Sequence, residues 1–589
     1  MIMTKNSSPI QPNNPTVEQR HKLLYYALNN VNRLEDFNNI VDLLSPPPDI
    51  TRIGSPGQYK GIKVGIIGGG LAGLSSAFEL RKLGFDITVF EVSEDRIGGR
   101  IYTYYFDEDK KLYGELGAMR IPVSHETAWH YIDLFNLDTR PFIQTNENAY
   151  IYTRNIRVRN DPEGKNVMKE IYPEFKLTPW ERNRSWQKLI DYGLSTVLSG
   201  MRPGLRREIL QIKPKYSPQM NYWTAYNQRQ VCEEMGLSQG ALNLIGSVSP
   251  FVGQFFYNSY SEHLIEEYPV NFSFLYEIIG GLVNLPLSFY RNLTSKNPNS
   301  YGKIPNKALG KVTWKGGSGV TGIYKCDGSH KVLLKYKNMS LNKTLQESFD
   351  YVICTIPFSS LRNVDVNPPF SPRKMEAIRE LNYESTQKTL FLCNKRFWEE
   401  GGPHEQIVGG GSQTDLSIST VWYPSDHGKC INEHINNNRT CYIESPLDKW
   451  TLKEGCSPSE KGVLLASYNF TLDAIRLGNI EDNRRIKIIK NQIEAVHGLK
   501  KGDLDSIVED FKTIQWDREP WYYGGFAYFT PEQKRIFSYA IVKPEYNNRV
   551  FFAGEHASEM HAWIQGSLKS AMKAANNLVR HCKRHNKIY

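Results

Sequence analysis

The sequence contains no Cys-x-x-Cys pair. Its cysteines (Cys232, Cys326, Cys354, Cys393, Cys430, Cys441, Cys456 and Cys582) are scattered through 589 residues. That excludes the ligand spacing of a zinc ribbon and the dithiol of a redox motif, so no metal site is expected. No stretch approaches the roughly 20 apolar residues of a membrane span. The opening MIMTKNSSPIQPNNP lacks the apolar core of a signal peptide, and the closing HCKRHNKIY carries no hydrophobic tail. The expectation is a cytoplasmic chain with no membrane partner, secretion by another route staying open. Lys and Arg number 72 against 62 Asp and Glu, a net charge of +10, yet the basic residues form no run. A nucleic-acid partner is therefore not expected. The charge reads as a mild field that favours anionic ligands. With 40% hydrophobic and 23% charged residues the chain is globular rather than disordered, and its length suits two or three domains.

What the sequence does have is concentrated in Val64–Arg100, VGIIGGGLAGLSSAFELRKLGFDITVFEVSEDRIGGR. Val64, Ile66 and Ile67 form the short apolar run of a buried parallel strand. Gly68, Gly70 and Gly73 follow as G-x-G-x-x-G. The first allows a tight turn, the second lets a pyrophosphate approach the backbone, and the third lets helix and strand pack closely. A helix is expected from about Leu71 to Leu83, ended by Gly84 in a left-handed conformation. Leu71 and Ala72, at its first turn, would face the phosphates, where free N–H groups and the helix dipole favour negative charge. A second strand, Asp86–Phe90, ends at Glu91, placed to accept hydrogen bonds from the ribose hydroxyls of an adenosine.

The unit closes with Arg96-Ile-Gly-Gly99-Arg100. This R-x-G-G-R ending resembles the flavin-dependent amine oxidases, a family that includes monoamine, polyamine and L-amino-acid oxidases. The resemblance runs from about residue 60 to the end and is weakest over 155–310. It implies an α/β fold: a Rossmann-like FAD-binding domain, a mixed-sheet substrate-binding domain and an inserted helical domain. The expected division is an N-terminal tail and helices (1–58, with 1–15 flexible), FAD-binding segments at 59–150, 281–350 and 516–589, a helical and substrate segment at 151–280, and a substrate-binding segment at 351–515. The last contains a polar insert, 426–461, whose cysteines leave a disulfide open.

Within the resemblance, Gly117-Ala118-Met119-Arg120-Ile-Pro looks like the substrate-side motif of L-amino-acid oxidases, as does Asn146–Ala149 followed by Arg154, Arg157 and Arg159. Gly117, Ala118 and Met119 would pass close to the flavin. Lys388 matches a lysine that holds a water facing flavin N5, Val312 would cover the adenine, and Glu555 would hold the ribityl chain. Ala562, Trp563, Ile564 and Ser567 would bring a helix N-terminus to the flavin edge. Residues 516–529, WDREPWYYGGFAYF, match the segment against the flavin ring. Monoamine oxidases carry a flavin-linked cysteine just after the Gly-Gly; here Phe526 follows Gly524 and Gly525, so FAD is expected without a covalent bond.

The chemistry so implied is oxidation of an L-α-amino acid to the 2-oxo acid, ammonia and hydrogen peroxide, with O2 as second substrate. Arg120 would clamp the carboxylate bidentately, a geometry lysine cannot copy. Tyr468 would add a second bond, and Trp563 would wall the site. A base is needed to free the amine, and His263 is the histidine candidate in the helical segment. Rival readings are an amino-acid monooxygenase, an amine or polyamine oxidase (against which Arg120 argues), and a non-catalytic FAD-binding protein. A homodimer or higher homo-oligomer is expected.

Overall fold

The computed structural model describes residues 11–326, 328, 330–430 and 450–585. The apolar run at 64–67 becomes the middle strand, Lys63–Ile67, of a five-stranded sheet. Asp86–Phe90 lies on one side and Val312–Lys315 beyond it; Tyr351–Cys354 and then Val550–Phe552 lie on the other. Every pair is parallel. Numbered along the chain the order is 3-2-1-4-5, so the strand order reverses between Lys63–Ile67 and Tyr351–Cys354. Open parallel sheets bind ligands at the carboxyl ends of the strands flanking such a reversal. Thr355 ties the two ends together: its backbone N–H and its hydroxyl both donate to the Ile67 carbonyl, at 2.9 and 2.7 Å.

The helix Leu71–Lys82 follows the glycine turn, and Gly84 takes φ +91° after it. It is buried along its whole length, against the C-terminal helix Ile564–His585 on one side and Asn284–Thr294 on another. Gly73 is required by this packing, because a β-carbon there would run into the Gly68 carbonyl oxygen. Gly68 itself stands at φ +105°, a conformation that favours glycine.

A second, seven-stranded sheet has the order Val508–Gln515, Thr386–Cys393, Gly462–Phe470, Thr420–Trp422, Gly411–Thr414, Tyr150–Thr153, Ile156–Arg159. It is antiparallel except between Gly411–Thr414 and Tyr150–Thr153. Its register sets Lys388 directly opposite Tyr468. Helices fill 165–267. Residues 186–200 run on as one helical stretch that contains a π-turn at Asp191–Ser195. Residues 218–234 are divided into Pro218–Thr224 and Gln228–Glu234, because Asn227 and Gln230 form a capping box that starts a new helix.

The N-terminal segment differs from the expected flexible tail over residues 11–15. Gln11 donates to the Leu275 carbonyl at 2.8 Å, and Asn14 bonds Asp138 and Thr139. The helices Val17–Asn30 and Phe37–Leu44 then pack into the main core. Residues 1–10 and the centre of the 426–461 insert, Cys441 included, lie outside the described residues. The flanks of the insert pair as a two-stranded ribbon, Gly428–Cys430 with Trp450–Leu452, and Cys456 is a free thiol. Among the described residues no helix is long and apolar enough to cross a membrane.

Candidate active site

A long cavity runs from the strand reversal toward the seven-stranded sheet. Its lining changes along its length, from glycine turns at one end to aromatic and charged side chains at the other, so one continuous cavity offers both a cofactor surface and a substrate surface. At its inner end Gly68, Gly70, Leu71 and Ala72 line the wall. No side chain caps the N-terminus of the Leu71–Lys82 helix, so its first N–H groups are available to a phosphate. Gly73 does not line the cavity; it serves the packing described above. Glu91 does, and its carboxylate accepts from the backbone N–H of Gly69 at 2.7 Å and Ser93 at 2.9 Å. Burial nevertheless pushes Glu91 above its ordinary range.

Val312 is a correction. It lies on the edge strand and packs into the main core, whereas Val320, in the strand Ser318–Lys325, reaches the cavity beside Gly319. Both positions read as valines in short alternating strands, and only the path of the edge strand decides between them.

Midway, Gly99 and Arg100 face Glu555, and the Arg100–Glu555 ion pair measures 2.8 Å. Arg100 also donates to the Gly525 carbonyl at 3.0 Å. Burial would raise Glu555, but Arg100, His561 and His556, with the N–H of Ala527, hold it below its usual value. Gly117, Ala118 and Met119 form the opposite wall. At Gly117 a β-carbon would strike the Arg100 carbonyl, so only glycine fits this close approach. Lys388 fastens the same segment, donating to the carbonyls of Glu115 at 3.1 Å and Gly117 at 2.7 Å, 3.4 Å from Met119 Sδ. Burial holds the Lys388 ammonium below the ordinary lysine range, with Glu115 opposing and Arg120 reinforcing the effect.

Beyond Lys388 the cavity is an aromatic chamber lined by Phe251, Phe255, Phe272, Phe470, Tyr528 and Trp563. Arg120 enters it from just before the strand Ile121–Pro122. Its guanidinium lies 5.0–5.7 Å from the rings of Phe142, Phe272 and Trp422 and donates one hydrogen bond, to Gln144 at 2.8 Å. Among the described residues it makes no salt bridge. Burial lowers its pKa, and the nearby Tyr468 and Glu266 partly restore it. Tyr468 lines the same chamber, its hydroxyl pushed up to about 12 by burial. Ala562, Trp563, Ile564 and Ser567 place the start of the C-terminal helix at the chamber's edge. Asn146 instead braces the Val408 carbonyl, and Arg154, Arg157 and Arg159 stand away from the cavity.

His263 is the second correction. It does not line the chamber; its ring stacks on Tyr260, 5.7 Å away, and burial lowers its pKa. The titratable group that the same helix, Tyr260–Glu267, sends into the chamber is Glu266. Glu266 accepts from Trp563 Nε1 at 3.0 Å and from Asn271 Nδ2 at 3.0 Å. Burial pushes it up to about 7. The sequence signal for it was the i, i+4 pair Glu262 and Glu266, which face one way: Glu262 pairs with His561 at 3.1 Å while Glu266 meets Trp563.

The chain is 30% identical over 522 residues to an L-amino-acid oxidase from Sistrurus catenatus edwardsii, covering 88% of this chain and 87% of that one. It is 29% identical over 523 residues to one from Bothrops atrox, covering 88% of each. Its fold matches a putrescine oxidase bound to putrescine with a TM-score of 0.62 at 15% identity, over 88% of this chain and 99% of that one. It also matches a cyclohexylamine oxidase from Brevibacterium oxydans with a TM-score of 0.61 at 15% identity, over 89% and 100%. The family model described as flavin containing amine oxidoreductase spans residues 71–579, and the chain belongs to that family.

Proposed function

We propose that this chain is an L-amino-acid oxidase with non-covalently held FAD. The observation that carries the reading is Arg120: a buried guanidinium without a carboxylate partner among the described residues, aimed into an aromatic chamber next to Tyr468. A buried cation needs a compensating anion. A substrate carboxylate supplies one, and an amine does not.

The residues present fit FAD. Gly68, Gly70, Leu71 and Ala72 would hold the pyrophosphate, Glu91 the ribose, and Arg100 with Glu555 the middle of the cofactor. Gly117, Ala118, Met119 and Lys388 would face the ring, with Ala562, Trp563, Ile564 and Ser567 at its other edge. When bound, the flavin supplies two-electron oxidation of the substrate Cα–N bond and hands the electrons to O2 as hydrogen peroxide. The chain's own part is positioning. Arg120 and Tyr468 would fix the carboxylate, the aromatic walls would exclude water and hold the side chain, and Lys388 would hold a water that meets O2. The imino acid released takes up water to give the 2-oxo acid and ammonia. The same reading takes the protein as cytoplasmic, catabolic and homodimeric, with three FAD-binding segments enclosing a helical and a mixed-sheet unit.

Peroxide release by the purified yellow protein, measured against each L-amino acid with D-isomers and simple amines alongside, tests the reading. Turnover of L-amino acids alone is expected. Turnover of amines alone would transfer the chain to the amine oxidases, and an amide product in place of the 2-oxo acid would make it a monooxygenase.

A further inference from the structure

Among the described residues three acids line the cavity, and two of them are already engaged. Glu91 is held by two backbone N–H groups and Glu555 by Arg100. Glu266 is different. No Lys or Arg is salt-bridged to it among the described residues, and its neighbours are neutral donors. Trp563 Nε1 lies 3.0 Å from both carboxylate oxygens. Asn271 is itself oriented, since its Oδ1 faces His125 Nε2 at 3.1 Å and its amide N–H therefore turns to Glu266. His125 is kept neutral by burial, at about 3, so in this pairing its one hydrogen sits on Nε2. Two donors leave an ionised carboxylate with spare lone pairs.

Glu266 and Arg120 border one chamber. The Phe272 ring lies 5.5 Å from the Arg120 guanidinium and 5.8 Å from the Trp563 ring, whose indole N–H holds Glu266. The chamber therefore offers a cation and an anion across a continuous aromatic wall, the complement of a zwitterion. We infer that Glu266 receives the α-ammonium group of the substrate and takes one of its protons, serving as the base that frees the amine before oxidation. This rests on the amino-acid oxidase reading above. The step is a proton transfer alone: one N–H bond of the ammonium breaks, its electron pair stays on nitrogen, and an O–H bond forms on the carboxylate. The product is a neutral amine and a neutral Glu266.

The charges around Glu266 come from every neighbouring element. Glu262 lies one turn earlier on the same helix and is engaged by His561; Glu262 raises Glu266 while Arg120 lowers it. Tyr528, Tyr468 and Lys388 border the chamber from the strand and sheet side. Burial outweighs them, so Glu266 is protonated below about pH 7 and ionised above it. A base works only when ionised, which gives the sign: activity falls as the pH drops through that value.

The experiment is anaerobic stopped-flow reduction of the bound flavin by L-leucine, L-phenylalanine and L-lysine across neutral pH, with the holoenzyme and three variants. The wild type should reach a plateau above about pH 7. Glu266→Gln keeps the acceptor for Trp563 and Asn271, so a merely structural carboxylate would lose little. We expect it instead to slow reduction about 10²-fold for all three amino acids, the usual worth of a positioned base. Its rate should climb with pH as far as the substrate amine's own titration. Glu266→Asp, which retains the charge, should retain the acid limb at reduced rate, and it carries the same test if the Gln variant does not hold flavin. Lys388→Met should leave the acid limb in place. A wild-type profile in Glu266→Gln, a loss confined to L-lysine, or an acid limb that vanishes with Lys388 would each overturn the assignment. A wild-type flavin bleached by amines and by no amino acid would remove the parent reading, and Glu266's role with it.

Discussion

At the scale of single residues, the proposed substrate class rests on Arg120. Its guanidinium is surrounded by Phe142, Phe272 and Trp422 and holds one neutral partner, Gln144. Removing one partner of a buried, hydrogen-bonded charge pair costs about 2–5 kcal/mol. Applied to a bound carboxylate, that is roughly 30- to several-thousand-fold in kcat/KM. Arg120→Ala should therefore lose activity on L-amino acids by at least that lower factor, seen as a fall in kcat/KM in a peroxide assay. Arg120→Lys should recover only part of it, since a point charge lacks the planar fork. An unchanged kcat/KM in Arg120→Ala would show that the carboxylate is held elsewhere.

At the scale of elements, what could be read in the sequence was what neighbours in the chain enforce. Lys63–Ile67, the glycine turn, the Leu71–Lys82 helix and Asp86–Phe90 form one continuous unit, and the reasons for their residues are local. Arg120, Lys388 and Tyr468 were legible through their flanking motifs, and the cavity brings all three together. Val312 failed because two successive strands carry similar valines, and pairing with Asp86–Phe90 holds the first one away. His263 failed for a helical reason. One residue of rotation turns it from the Glu262 and Glu266 stripe toward Tyr260. For Glu266 the i, i+4 spacing from Glu262 marks a helix face but not what that face meets, because its partner Trp563 is 297 residues distant in sequence. The tightest element contact gives a further expectation. At Gly73 a methyl group meets the Gly68 carbonyl, so Gly73→Ala must separate helix and strand at the phosphate end of the cavity. It should abolish or strongly weaken FAD retention, read as the flavin absorbance remaining after gel filtration. Full flavin content would mean that the turn can shift without loss.

At the scale of the whole molecule, the flavin chamber depends on chain far from it in sequence. Phe526, in the short strand Phe526–Ala527, lines the cavity after the Gly-Gly pair, and no cysteine is among the described lining residues. Acid precipitation should therefore leave the yellow colour in the supernatant, and colour in the pellet would reveal a covalent link. The N-terminal helices are a more distant dependence. Leu23, Leu24, Ala27, Leu28, Ile40 and Leu44 are buried in the main core. At about 1.5–3 kcal/mol for each fully buried large side chain, the group contributes on the order of 10 kcal/mol, comparable to the whole stability of a domain. The same segment reaches the active site through backbone carbonyls. Leu44 accepts from Gln565 at 2.6 Å and from Thr127 at 2.8 Å, and Leu43 accepts from Lys569. Gln565 is the second residue of the C-terminal helix, directly after Ile564 in the cavity wall. Removing residues 1–44 would thus strip a core face and release the helix start proposed to meet the flavin edge. The truncated chain should be recovered insoluble or without flavin. If it does fold, its flavin-fluorescence melting temperature should lie well below that of the full chain. An unchanged melting temperature and flavin content would instead make the N-terminal helices a dispensable appendage, and the carbonyl contacts to Gln565 and Lys569 energetically idle.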